Sequence, residues 1–500
     1  MSPHTPPMVP SAALDQQRWD GMLYREGWSA GSGGVIPVVE PSTGAVIATT
    51  SMATPDEMMS AATRAARAQR DWAAESPSTR ATIAREAGNF FLRHAPELIE
   101  WVQRETGAIR AKAELEITIA ANECFDAAAL PHHPHGEVLT SDEPHWSFAR
   151  RQPAGVVGVI SPFNFPLILS IRSVAPALAL GNSVILKPDP RTPVSGGYMI
   201  MRAFEEAGLP PGTLQLLPGG PEAGSALTEA PEVRVVSFTG STAAGRKVGE
   251  ACGRNLKRAH LELGGNNALI VLPGADLERA AAAGAFGSFL HQGQICMTTG
   301  RHLVHESIYE EYVHRLAANA RALRVGDPWT TEAQLGPVID GGQRDRILGL
   351  VRASEAAGAT IVAGGAAEEL FVRPTVLSGV GAENPAWTEE IFGPVAPVRP
   401  FSTLDEAVQL VHESAYGLAV GILGDVGLAM TVADQVRSGK IHINEQTVAD
   451  ESNAPFGGVG HSGTGARFGG YTANIDAFTE TQWLTVRSMI APSPFTGDAR

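Results

Sequence analysis

Five hundred residues exceed what one compact core accommodates, so two or three domains are expected. A hydrophobic fraction of 44% with 18% charged residues excludes a disordered chain, and a net charge of −15 opposes nucleic acid and anionic membranes as partners. The cysteines are Cys124, Cys252 and Cys296, too sparse and odd a set for a disulfide framework. No apolar run reaches the ~20 residues of a membrane span, so a reducing cytoplasm is the expected location.

In chain order, residues 1–33 read as a tail, Pro-rich at first and Gly/Ser-rich later. Met1 to Ala13 has no basic region followed by an apolar run, so it reads as neither signal nor transit peptide. Val35–Val39 and 45–49 flank Pro41-Ser42-Thr43-Gly44, a hairpin pattern. Thr54-Pro55-Asp56-Glu57 is a helix start with a capping box. Residues 57–130 read as mostly helical, with a break near Pro77. His132-His133-Pro134-His135 opens a Pro/His-rich segment, and residues 146–151 read as a strand leaving the main body. A zinc site on those histidines is disfavoured, because Pro134 breaks the run and no cysteine is near.

From Gly155 the texture alternates. Val156–Ile160, 183–186, 214–217 and 233–238 are strand-like, and 167–180, 195–206 and 222–229 are helix-like. Continuous apolar strands separated by helices predict a parallel sheet covered on both faces, with ligands at the carboxyl ends of its strands. A second α/β series runs from about Asn267 to Asn444.

Chemistry-bearing residues stand at the ends of these elements. The strand 233–238 runs into Thr239-Gly240-Ser241-Thr242-Ala243-Ala244-Gly245 and a helix, a turn whose backbone N–H groups suit a pyrophosphate or simply make a tight corner. Lys187 closes the strand 183–186, where it faces a ligand or solvent. Cys296 follows an apolar helix, 277–290, in Gln292-Gly293-Gln294-Ile295-Cys296, and is read as an exposed nucleophile or a small buried hydrophobe. Glu262 stands between Leu261 and Leu263, as a carboxylate with raised pKa or on the solvent face of an alternating strand. Asn164, in Ser161-Pro162-Phe163-Asn164-Phe165-Pro166, is placed to donate to an oxyanion, though Asn is also common in turns.

Taken together the segments resemble the aldehyde dehydrogenase superfamily. Its marks stand in order: Pro162-Phe163-Asn164-Phe165-Pro166, Lys187-Pro188, Phe238-Thr239-Gly240-Ser241, Glu262-Leu263-Gly264-Gly265, Gly293-Gln294-Ile295-Cys296, Glu390-Ile391-Phe392-Gly393-Pro394 and Pro455-Phe456-Gly457-Gly458. The resemblance implies an α/β fold: a Rossmann-type NAD(P) domain (34–130 and 152–264), an α/β catalytic domain (265–448), a return segment (449–470), and a small β oligomerisation arm and tail (131–151 and 471–490). It implies Cys296 as nucleophile, Glu262 as the base that activates water, and Asn164 with the Cys296 N–H as the oxyanion hole. Lys187 and Glu390 would hold the cofactor riboses, Ser241 the pyrophosphate, and Phe392 the nicotinamide side. Ile160, Ser161, Pro162, Phe163, Pro190, Gly220, Gly224, Phe238, Thr239, Gly240, Leu263 and Gly264 complete the expected cofactor contacts. No metal is implied. The arm and the strand-like 481–486 resemble family elements that pair between subunits, which implies a homodimer or homotetramer.

The stretch from Gly155 to Gly197 looks most like the benzaldehyde and vanillin dehydrogenase branch. The expected substrate wall is Phe165, Ile168, Leu169, Ile295, Met297 and Phe456, apolar and suited to a flat ring. Arg172 would meet a polar ring substituent or face solvent. Relatives that prefer NAD often carry Glu where Pro190 stands. Its absence, with Arg191 beside it, predicts that NAD and NADP both work. The alternatives are a semialdehyde or aliphatic aldehyde dehydrogenase, for which Arg172 is the one candidate partner of a charged tail, and a non-catalytic relative keeping the fold.

Overall fold

The computed structural model describes residues 14–491 and residue 495. The expectation for Met1 to Ala13 lies outside the described residues. Two seven-stranded sheets and a three-stranded arm organise the chain.

The first sheet runs in the order Arg258–Glu262, Val233–Thr239, Val156–Ile160, Ser183–Lys187, Leu214–Leu216, Leu23–Tyr24, Trp28–Ser29. Its first five strands are parallel. Val156–Ile160 is central, and the chain builds outward from it on one side before returning to lay Val233–Thr239 on the other. That reversal opens a crevice at the carboxyl ends of these strands.

The last two strands of that sheet correct the reading of residues 1–33. Residues 14–33 are not a tail: Leu14, Trp19, Leu23 and Tyr24 are buried, and Trp19 stacks on Tyr198 at 4.5 Å. The apolar side chains of this short stretch close the edge of the sheet.

The second sheet runs Thr360–Ala363, Thr375–Ser378, Val395–Phe401, Thr299–His305, Asn267–Val271, Ala419–Leu423, Lys440–Ile443. Every pair is parallel except the first. Alternate side chains enter opposite layers, as the pleat requires: Ala268, Ile270 and Ile422 pack in one core, and Leu269, Val271 and Leu423 in the other. Burial on both faces explains why these strands read as unbroken apolar runs.

The helical stretch begins as expected. Thr54 accepts from Glu57 N–H while the Glu57 carboxylate accepts from Thr54 N–H, completing the capping box before Pro55–Ala74. The helices Pro77–Arg93, Ala95–Thr106 and Arg110–Ala129 follow. The last carries a fully buried ion pair between Lys112 and Glu116. Glu116 accepts the N–H groups of Leu167 and Ile168 at 3.1 and 3.3 Å, the donors left open in the first turn of Pro166–Ala179. Lys112 donates to the Asn164 carbonyl at 2.8 Å.

The arm strand Trp146–Pro153 pairs antiparallel with Gly136–Leu139 on one side and Thr479–Val486 on the other. The two strands expected to pair between subunits therefore pair with each other within the chain, and only the outer edges stay open. His133 stacks on Tyr471 at 4.3 Å and the His135 ring contacts the Pro131 carbonyl. Among the described residues no group of three His, Cys, Asp or Glu could hold a metal ion, and no helix is long and apolar enough to cross a membrane.

Candidate active site

A cleft of about 440 Å³ occupies the crevice of the first sheet and reaches the second. Ile160, Ser161, Pro162 and Phe163 line it from the end of the central strand, Lys187 from the next strand, and Phe238, Thr239, Gly240 and Ser241 from the strand on the other side. Leu263 and Gly264 form its floor toward Cys296, while Glu390 and Phe392 face it from the second sheet's side.

Several of these groups are poised for a ligand rather than for each other. The Lys187 ammonium is buried, and its hydrogen bond within the chain is a long one, 3.5 Å, to the Pro188 carbonyl. Burial pulls its pKa down, against the opposing pull of Asp189 and Glu222. Burial raises the Glu390 carboxyl to about 7; one of its oxygens accepts Gly265 N–H at 2.8 Å. A side chain at Gly264 would collide with that carboxylate. A buried ammonium and a half-buried carboxyl facing one cleft across a Gly-rich turn fit the hydroxyls and phosphates of a dinucleotide. Ser241 caps the helix Thr242–Arg254, accepting from Ala244 N–H at 3.3 Å, so its hydroxyl sits at that helix's positive end.

The expectations for Pro190, Gly220 and Gly224 differ from the structure. None lines the cleft. Pro190 faces a separate hollow with Ile36, Pro37 and Asp340, while its neighbours Asp189 and Arg191 line the cleft. Gly224 lies behind Lys187, where an added Cβ would touch the lysine stem at 3.6 Å, and Gly220 caps the helix Pro221–Glu229. Nor is Arg191 free to seek a phosphate. Its guanidinium forks onto Asp189 at 2.8 and 2.9 Å, reaches Asp340 at 2.7 Å, and lies over the Phe163 ring at 4.3 Å. Gln343 and Arg346 also line the cleft, and sequence reading did not single them out. Gln343 donates to the Phe392 carbonyl at 2.6 Å and Arg346 to the Glu390 and Ile391 carbonyls, each at 2.6 Å, which fixes both residues.

A second, narrow cavity of about 60 Å³ opens on the other side of Cys296. Phe165, Ile168, Leu169 and Arg172 line it along one face of Pro166–Ala179, the spacing of successive helical turns. Ile295, Met297 and Phe456 line it with Leu115, Ile119, Leu290, Val448 and Asp450, the last five not foreseen. Cys296, Asn164 and Leu169 are common to both cavities.

The loop carrying Cys296 is held tightly. His291, Gln292 and Gly293 all have positive φ, and a side chain at Gly293 would strike the Gly393 carbonyl. Gln292 pins the strained turn by donating to the Gly107 and Pro337 carbonyls at 3.0 and 2.9 Å. Asn267 donates to the Cys296 carbonyl at 2.8 Å. Asn164 donates to the Gln294 carbonyl at 2.8 Å, which leaves the second hydrogen of its amide for another acceptor. Burial pushes the Cys296 thiol up to about 12; Lys440 pulls it down, while Glu390 and Glu262 push it further up.

Glu262 is buried rather than on a solvent face, and it lines neither cavity. One oxygen accepts Gly458 N–H at 3.2 Å and the other, Oε1, has no partner among the described residues. Burial raises its pKa well above the carboxylate range.

Arg172 does not face solvent. It donates to Glu123 at 3.0 Å and Asp450 at 2.7 Å and lies 4.7 Å over the Phe456 ring, with Nη1 buried and unpartnered. Lys440 approaches the same ring at 4.1 Å from beyond Met297 and also meets Asp450. Sequence reading missed Lys440 and Asp450 because nothing local marks them.

The sequence pattern of the aldehyde dehydrogenase family matches residues 28–484. The chain belongs to the aldehyde dehydrogenase family. It is 59% identical to a vanillin dehydrogenase of Amycolatopsis sp., over 96% of this chain and 99% of that one. It is 44% identical to a benzaldehyde dehydrogenase [NAD(+)] of Pseudomonas putida, again over 96% and 99%. Among solved structures, a salicylaldehyde dehydrogenase of Pseudomonas putida complexed with salicylaldehyde superposes at a TM-score of 0.91, with 35% identity, 95% of this chain and 99% of that one. A betaine aldehyde dehydrogenase of Staphylococcus aureus in complex with NAD+ gives 0.93 with 29% identity, over 97% and 98%.

Proposed function

We propose that this aldehyde dehydrogenase oxidises an aromatic aldehyde to its carboxylic acid with NAD or NADP. The observation that carries the reading is the position of Cys296, at the junction of a cleft suited to a dinucleotide and a narrow apolar cavity flanked by Phe165 and Phe456. Relatives acting on vanillin, benzaldehyde and salicylaldehyde support the aromatic class.

The roles are those that membership of the family implies, and the geometry is compatible with them. Once the thiol has lost its proton to water, Cys296 Sγ adds to the aldehyde carbon, and the oxygen that gains charge is met by the spare Asn164 hydrogen and the Cys296 N–H. A nicotinamide in the cleft would supply the hydride acceptor. Loss of hydride from the thiohemiacetal leaves a thioester on Cys296. Glu262 then takes a proton from water as the water oxygen attacks the acyl carbon, and the thiolate departs. At rest the thiol is protonated, and the Lys440 charge favours its ionised form. Burial favours the neutral carboxyl of Glu262, so turnover should rise with pH as that proton is lost.

Lys187 and Glu390 would hold the riboses, and the Gly240-Ser241 turn the pyrophosphate. With Arg191 bound by two carboxylates, and Asp189 in the cleft beside Lys187, a 2′-phosphate meets a negative group after all. NAD is therefore expected to be preferred over NADP. The test is kcat/KM for a panel of aromatic and aliphatic aldehydes, each with both cofactors. Benzaldehyde and vanillin should exceed hexanal by about tenfold or more, a difference of ~1.4 kcal/mol in transition-state binding. Preference for hexanal would overturn the aromatic reading.

We also propose a homodimer or a homotetramer built from two dimers, in a cytoplasm that keeps the nucleophilic thiol reduced. Trp146 and Trp483 are 66% and 70% exposed on paired arm strands whose outer edges are open, a surface that a monomer would leave in water. Light scattering at micromolar protein should give at least twice the chain mass; a monomer there would refute assembly through this arm.

A further inference from the structure

The helix Arg110–Ala129 meets the substrate cavity along one face. Lys112, Leu115, Glu116 and Ile119 recur at the spacing of helical turns and so share that face. Leu115 and Ile119 line the narrow cavity. Lys112 and Glu116 stand beside them, both side chains fully buried, and form an ion pair with each other.

Taking two charges out of water costs about as much as their attraction returns, so such a pair adds little stability that an apolar pair would lack. Its contacts show what it does instead. The helix Pro166–Ala179 has no capping side chain of its own, because Phe165 stands at its N-cap. Glu116 supplies the cap from the other helix, accepting Leu167 and Ile168 N–H at 3.1 and 3.3 Å, and Ile168 is a wall of the cavity. Lys112 Nζ donates to the Asn164 carbonyl at 2.8 Å and lies 4.4 Å over the Phe165 ring. That ring also lines the cavity, and at 5.4 Å it meets the His291 ring in the strained turn before Cys296.

Asn164 is thus fixed at two points. Lys112 holds its main-chain carbonyl, and its side-chain amide donates to the Gln294 carbonyl at 2.8 Å. Both bonds are buried, and Asn164 lines the two cavities that meet at Cys296. An oxyanion donor acts over about 2.7–3.1 Å, and a misplacement of ~1 Å in a catalytic group costs up to about 10²-fold in rate. Whatever holds the Asn164 backbone therefore sets how well its spare amide hydrogen serves.

We propose that Lys112 is a positioning residue for the oxyanion hole: held by Glu116, its ammonium anchors the Asn164 carbonyl and so aims the Asn164 amide at the oxygen that gains charge. The proposal rests on the reading of Asn164 as the oxyanion donor.

The experiment removes the anchor without leaving a lone buried charge. In the pair variant Lys112→Met with Glu116→Gln, methionine replaces the lysine stem, and the glutamine oxygen still accepts Leu167 and Ile168 N–H. What is lost is the bond to the Asn164 carbonyl. The measurement is kcat/KM for benzaldehyde with NAD, expressed per NAD site counted by calorimetric titration. Asn164→Ala alone should lose about 100-fold. The pair variant should lose about tenfold in the wild-type background, but no more than about twofold in the Asn164→Ala background, because the group it aims is already gone. Should the pair variant fail to fold, Lys112→Gln takes its place: it still donates to Glu116, is one bond shorter than lysine, and falls short of the Asn164 carbonyl. The same loss and the same disappearance are expected of it. A purely structural role would remove NAD sites and leave kcat/KM per remaining site unchanged, or would cost the full tenfold in both backgrounds. Either result overturns the proposal. Asn164→Ala at the wild-type rate would instead defeat the oxyanion reading on which it rests.

Discussion

Cys296→Ala is expected to lose aldehyde oxidation by at least about 10⁴-fold in kcat, because no other group at the junction of the two cavities can form the covalent adduct from which hydride leaves. Cys124 and Cys252 are buried elsewhere, in the cores beneath the first sheet, and cannot substitute. The fold should survive. The contact that Cys296 makes with Asn267 is through its carbonyl, at 2.8 Å, and alanine keeps it. Loss of one sulfur atom from a half-buried site costs about 1 kcal/mol or less. Nucleotide binding should persist, since Lys187, Glu390 and the Gly240-Ser241 turn are untouched. Calorimetric titration with NAD against an activity assay separates the two outcomes, and a variant that binds NAD and still turns over would remove Cys296 from the mechanism.

Much of this architecture is visible in the chain itself, for identifiable reasons. Strands buried on both faces leave uninterrupted apolar runs, so 156–160 and 233–238 stand out against their flanking helices. Caps are local, so Thr54 and Glu57 announce the helix they begin. The short edge strands Leu23–Tyr24 and Trp28–Ser29 are the opposite case. Two residues have no period, and the aromatic side chains that bury there gain their meaning only from Tyr198, far along the chain. The pairing of Trp146–Pro153 with Thr479–Val486 is equally non-local.

The site divides in the same way. Asn164 and Cys296 lie in distinctive turns and Glu262 ends a strand just before paired glycines, so all three can be found by their company. Lys440 and Asp450 cannot, because Lys440 is one lysine in a short strand and reaches the Phe456 ring only once two sheets are in place. Pro190 shows a subtler limit. Counting three places from Lys187 names a position, but the backbone there turns Asp189 and Arg191 into the cleft and Pro190 away from it. The carboxylate that position 190 lacks is present one residue earlier. Arg191, which beside Pro190 looked available to a phosphate, is committed to Asp189 and to Asp340, the latter 149 positions away in the sequence.

Glu262→Gln tests the second half of the reaction. The amide matches the carboxylate in shape, and its oxygen can accept Gly458 N–H, so the loop 456–468 should hold its place. What is lost is the capacity to take a proton from water. Steady-state turnover should fall by about two to three orders of magnitude, the usual contribution of a positioned base. The first half-reaction should not slow with it. Glu262, where ionised, pushes the Cys296 thiol pKa up, so replacing it with a neutral amide does not hinder ionisation of the nucleophile. One equivalent of NADH per active site should therefore appear at the wild-type rate or faster, followed by a slow phase. During that phase Cys296 carries the acyl group, and mass spectrometry of the acid-quenched protein should find it on the peptide containing Ile295 and Met297. The rise of turnover with pH should also disappear, because the group whose raised pKa sets it is gone. A slow steady state with no burst and no acylated peptide would place the defect before the thioester, and Glu262 would then act on the thiol rather than on water.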